Sequence, residues 1–106
     1  MYDAIMKYFN KRTGEDFDSR ARILGRMPAI ARMATIAEPY LSQEGVVSMD
    51  LGCGTGLFAE AVGVRSIIGV DFSSALLNSA RERMDVVWQQ SIFDLQLAKN
   101  SVDNIV

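Results

Sequence analysis

Five residues stand out by type and spacing: Asp50, then Gly52, Gly54 and Gly56 at alternate positions, then Asp71 about 20 residues beyond the loop. Glycines lack the side chain that keeps a backbone away from a ligand, so such a loop can turn tightly and press against a small molecule. A carboxylate placed just ahead of it attracts a cationic ligand and repels an anionic one. Asp71 closes the apolar run Ile67-Ile68-Gly69-Val70, where an acid can accept the hydroxyls of a ribose or, alternatively, cap a helix beginning near Ser73. The remaining inventory excludes more than it offers. The chain has no histidine, so neither a zinc centre nor a Ser-His-Asp hydrolase is expected, and no metal is expected. Its single cysteine, Cys53, has no basic neighbour in sequence to lower its pKa, and it reads as a small residue between two glycines rather than a nucleophile. No catalytic residue is assigned.

These residues need elements to position them. Val46–Leu51 is a short apolar run ending at the loop and reads as a buried strand, followed by a short helix over Leu57–Val62. Ser66–Asp71 reads as a second strand, Ser73–Met84 as a helix with Ser73 as N-cap, and Asp85–Gln90 and Val102–Val106 as third and fourth strands. Strands alternating with helices imply parallel pairing through right-handed crossovers, hence an open α/β sheet that binds ligands beyond the carboxyl ends of its strands. Ahead of the sheet, Tyr2, Ile5, Met6 and Phe9 share one helical face, and Thr13–Asp16 supplies a turn. Two helices then follow between about Asp18 and Leu41, with the break near Pro28 and the end set by Pro39 and Gly45. Residues 1–45 thus form a helical segment and 46–106 a ligand-binding α/β half-domain.

At 106 residues and 49% apolar composition, the chain suits one modest core. Eleven basic and thirteen acidic residues leave a net charge of −2, which carries no footprint for nucleic acid or an anionic membrane. No apolar stretch approaches the roughly 20 residues of a membrane span and no signal peptide opens the chain, so a cytoplasmic location is expected. Arg20, Arg22, Arg26 and Arg32 read as a solvated face, with a lid over an anionic substrate as the alternative. Trp88 reads as core or sheet-edge packing.

Two cofactor classes compete for the loop: dinucleotides and S-adenosylmethionine (SAM). The dinucleotide pattern requires a small residue at position 57, where this chain has Leu57, and its third glycine comes one place early at Gly56. A pyrophosphate about 4 Å from Asp50 would meet repulsion of roughly 4 kcal/mol at an effective dielectric near 20. SAM has no phosphate and carries an ammonium and a sulfonium, which the same carboxylate attracts.

Val47-Ser48-Met49-Asp50-Leu51-Gly52-Cys53-Gly54-Thr55-Gly56 resembles the first motif of the class I SAM-dependent methyltransferases, and Gly69-Val70-Asp71-Phe72-Ser73 resembles their second-strand acidic motif. Ser91-Ile92-Phe93-Asp94-Leu95, followed by Asn100-Ser101-Val102-Asp103, is similar to the adenine-side stretch of the group that methylates quinones and other small molecules. The resemblance runs from 46 to 106. It implies that Gly52 and Gly54 pass under the methionine part of SAM, Asp71 holds the ribose, Phe72 lies against the adenine, and Ile92 offers its N–H to the ring. Ser91 stands where that family usually has an aspartate, so weaker adenine binding is expected unless something compensates.

The family's sheet has seven strands in order 3-2-1-4-5-7-6, and this chain supplies four. The expectation is therefore the N-terminal part of that fold, truncated after the fourth strand: a fragment, a split protein completed by a partner, or a poorly soluble product. Its exposed fourth strand would invite self-association or a partner chain. The activity implied is methyl transfer to a small organic acceptor. A SAM-binding module without chemistry is the alternative, and a nicotinamide-dependent oxidoreductase domain is disfavoured by Leu57 and Asp50.

Overall fold

The computed structural model describes residues 13–106. Its first element begins at Thr13, whose hydroxyl accepts a hydrogen bond from the Asp16 N–H at 3.1 Å. Glu15 and Asp16 in the first turn and Arg20 and Arg22 in the last place charges to suit the dipole of helix α1 (Gly14–Ile23). Thr13–Asp16 is thus a capped helix start and not the turn expected, because turn residues and cap residues share the same chemistry. The helix expected over Tyr2–Phe9 lies outside the described residues.

Gly25, at φ 68°, breaks the path before helix α2 (Met27–Leu41), which carries Pro28 in its first turn as anticipated. Pro39 does not end this helix, which continues to Leu41. The missing proline N–H deprives only the Thr35 carbonyl of a helical donor, and Thr35 is exposed, so water can replace it. Helix α2 turns Ala34 and Leu41 inward and leaves Met33, Ile36 and Tyr40 exposed.

From Ser48 the chain alternates strand and helix: β1 (Ser48–Leu51), α3 (Leu57–Val62), β2 (Ile68–Asp71), α4 (Ser74–Ala80), β3 (Val86–Gln89) and β4 (Asn104–Ile105). All four strands are parallel, in the order β3-β2-β1-β4, the open sheet that the alternation predicted. Helix α3 falls on its expected residues. Ser73 caps α4 as expected, its hydroxyl accepting from the Leu76 N–H at 3.3 Å. That helix ends at Ala80, short of Met84, because the Glu82 and Arg83 amides bond three residues back and tighten the chain into turns. Trp88 lies on the edge strand, 39% exposed.

The core is built from Leu41, Ile67, Leu77, Ala80 and Met84, with Met49 and Val70 fully buried on the two central strands. Register sets Asp50 opposite Gly69 and Leu51 opposite Val70, so the loops leaving β1 and β2 emerge side by side at one end of the sheet. No helix among the described residues is long and apolar enough to cross a membrane.

Candidate functional site

Between β1 and α3 the chain turns on three left-handed glycines: Gly52 at φ 79°, Gly54 at 56° and Gly56 at 82°. Any other residue would cost roughly 1–2 kcal/mol at each such position, which accounts for the alternating glycines. Backbone bonds tie the loop to its neighbour strand: the Gly52 and Cys53 N–H groups both donate to the Val70 carbonyl, at 2.7 and 3.0 Å. Gly56 faces no ligand space. A side chain there would meet Arg83 and Met84 at 3.4 Å, so its task is to turn the chain into α3.

Asp71 is buried and both of its carboxylate oxygens are engaged. Oδ2 accepts from the Gly54 N–H at 3.0 Å and Oδ1 from the Ser73 N–H at 2.9 Å. Asp71 is not the cap of α4, a place that Ser73 takes; it accepts from the amide of that cap residue and from the glycine loop. Each oxygen keeps a second lone pair, so the carboxylate can still accept from a ligand hydroxyl.

Asp50 is different. It is 8% exposed, yet no donor among the described residues reaches its carboxylate. Burial, and then the nearby charge of Asp71, push its pKa up to about 6. An acid left unpaired at the floor of a cleft is a candidate site for a cation. The same burial, with the charges of Asp50 and Asp71, pushes the Cys53 thiol up to about 12. Cys53 is therefore neutral and packs as a small apolar residue, its sulfur close against Gly69 beside that of Met84.

Two cavities meet at Gly52. The larger, about 370 Å³, lies between the loop, the floor at Asp50 and the overhanging helices α1 and α2. Leu51, Gly54, Val106, Phe17, Ala21, Ile30, Met33, Leu57 and Phe58 are among its walls, and Arg26 is the one cation that lines it among the described residues. Arg20, Arg22 and Arg32 are exposed away from it, as a solvated face would be. The smaller cavity, about 170 Å³, is walled by Gly52, Asp71, Phe72, Gln90, Ser91, Ile92 and Phe93. The Ser91 hydroxyl accepts from the Phe93 N–H at 3.2 Å, while the Ile92 N–H finds no acceptor among the described residues. The structure thus brings Asp50, Gly52, Gly54, Asp71, Phe72, Ser91 and Ile92 around one bipartite space and leaves Gly56 behind it.

Sequence reasoning missed several residues. Gln90 and Phe93 could have been found, because they border the end of β3 where open sheets bind ligands. Phe17 carries no such signal, although its ring edge lies 3.6 Å from where a Gly54 side chain would begin. Nor do Asp18 and Arg83, which lie 65 positions apart and meet at 2.8 Å behind the loop.

Residues 49–106 match the methyltransferase domain family. Among solved structures, the chain is similar to magnesium protoporphyrin IX methyltransferase from Synechocystis PCC 6803, crystallised with bound SAM. The TM-score is 0.64 at 19% identity, over 89% of this chain and 56% of that one. The likeness shows the Rossmann-like fold of such enzymes, of which this chain spans about half the length of its structural match. No curated protein sequence matches the chain.

Proposed function

The chain belongs to the methyltransferase domain family, and from that premise we propose that it binds SAM across the two cavities and serves methyl transfer to a small organic acceptor. The observation that carries the reading is Asp50: a carboxylate that lines the larger cavity beside a glycine loop, with no donor on it among the described residues, suits a ligand that brings positive charge and no phosphate. Gly52 and Gly54 would let the methionine portion lie against backbone. Asp71 would accept from the ribose, and Phe72, Ser91 and the Ile92 N–H would receive the adenine in the smaller cavity.

When bound, SAM supplies an electrophilic methyl group whose leaving group departs as a neutral thioether. The residues described here bind, orient and exclude water. Well-oriented reactants can gain about 7–11 kcal/mol from positioning alone. The apolar walls of the larger cavity favour a largely apolar acceptor, with Arg26 available to an anionic substituent. The net charge of −2 supports a reading in which neither nucleic acid nor an anionic membrane surface is the partner. Among the described residues β4 lies at an edge of the sheet, which supports pairing of that edge in self-association or with a partner chain.

Calorimetric titration with SAM, S-adenosylhomocysteine and NAD on one preparation tests the cofactor reading. SAM and S-adenosylhomocysteine are expected to bind and NAD to give no heat. Tight NAD binding with no response to SAM would reverse the assignment in favour of an oxidoreductase domain.

A further inference from the structure

The glycine loop has little to hold it in shape. Three left-handed glycines within five residues give it a large conformational entropy to lose, and its first half alone is fastened to the sheet, by the Val70 carbonyl. Beyond Gly54, whose N–H donates to Asp71, the remaining anchors come from outside the sheet. The Thr55 hydroxyl donates to Asp18 Oδ1 on α1, and Arg83 Nη1 donates both to Asp18 Oδ2 at 2.8 Å and to the Thr55 carbonyl at 3.0 Å. Arg83 Nε is held in turn by Glu60 on α3 at 2.7 Å. Asp18 and Thr55 are 6% and 1% exposed, so this is an enclosed network and not a surface ion pair. Helix α1 sits close enough to α4 to serve as a fixed support. A side chain at Gly14 would overlap Ser79, with its first carbon 2.5 Å from Ser79 Cβ.

We infer that Asp18 is a positioning residue for cofactor binding: from α1 it latches Thr55 and Arg83 together, and so sets the glycine loop in the shape that receives the ligand. Asp18 lines neither of the two cavities that meet at Gly52, and it acts through Thr55, which lines the larger one. The inference rests on the cofactor reading above for its ligand, but the latch itself is observable without one.

The test uses the full chain, wild type and the variants Asp18→Asn, Thr55→Val and Thr55→Ser. Ile67→Val serves as a core lesion at the opposite end of the sheet. Two readouts are taken well below every melting temperature: amide hydrogen exchange of residues 52–57 without ligand, and calorimetric affinity for S-adenosylhomocysteine. Asp18→Asn and Thr55→Val are expected to speed loop exchange and to weaken affinity at least tenfold. Thr55→Ser, which keeps the hydroxyl, should restore both, and Ile67→Val should change neither despite its lower melting temperature. Unchanged loop exchange and affinity in Asp18→Asn and Thr55→Val would overturn the inference, as would losses in all variants that merely follow melting temperature. A wild type that binds no SAM or S-adenosylhomocysteine, with loop exchange still faster in Asp18→Asn, would support the latch and overturn the cofactor reading instead.

Discussion

Asp71→Ala is expected to destabilise the fold by about 2–6 kcal/mol and to reduce SAM affinity by two decades or more. The substitution leaves two buried backbone donors, the N–H groups of Gly54 and Ser73, without their acceptor, and each orphaned group costs about 1–3 kcal/mol. The lost ribose contact alone would account for roughly one to two decades of affinity. The rest follows from the loop, since Gly54 would lose the last bond along the turn that ties it to β2. Asp71→Asn keeps one acceptor oxygen and should fall between the two. Urea denaturation and calorimetric titration of the same samples check both effects. A folded Asp71→Ala protein with wild-type affinity would show that this carboxylate serves α4 and the loop without touching a ligand.

Asp50→Asn is expected to act in opposite directions on stability and on binding. Its carboxyl pKa is pushed from 3.8 up to about 6, so the folded protein holds that proton more tightly than the unfolded chain does. Across the interval from about pH 4 to pH 6 the unfolded state therefore binds fewer protons, and stability falls as pH rises. Above pH 6 the charged group costs the ligand-free fold about 3 kcal/mol, at 1.36 kcal/mol per pH unit. The asparagine variant removes that cost. At pH 7 it should be more stable than wild type by up to about 3 kcal/mol, with a flatter stability profile between pH 4 and 6. SAM affinity should drop by one to two decades, the worth of a hydrogen-bonded charge of about 1.5–3 kcal/mol. Wild-type affinity should rise with pH through about 6, where Asp50 becomes charged, and the variant should lack that dependence. Melting curves and titrations at pH 5, 6 and 7 separate these outcomes. A variant less stable than wild type at pH 7 would mean that Asp50 has a donor in the folded protein after all.

The half of the chain from Val46 onward was legible because its signals are local. Apolar runs bounded by glycine define β1 and β2, and Ser73 announces its helix one residue ahead. Asp50 and Asp71 were found because the strand ends that carry them are themselves recognisable. Thr13–Asp16 was misread because the residues that cap a helix also make turns, and only the following chain decides which occurs. Pro39 was misread for a related reason: the rule against an interior proline weighs little where the freed carbonyl faces water near a helix end. The Asp18–Thr55–Arg83 network left no trace in the sequence at all. Its members belong to three segments with no shared periodicity, and what joins them is the packing of α1 against α4.

The placement of Cys53 has a practical consequence. A protonated thiol, 8% exposed and wedged against Gly69, is almost inert toward alkylating reagents while the fold stays shut. The rate at which iodoacetamide modifies this thiol, the chain's single cysteine, is then set by how often the surrounding turn opens to solvent. The chain thus carries its own chemical clock for breathing motions at the glycine-loop end of the sheet, one that needs no engineered label.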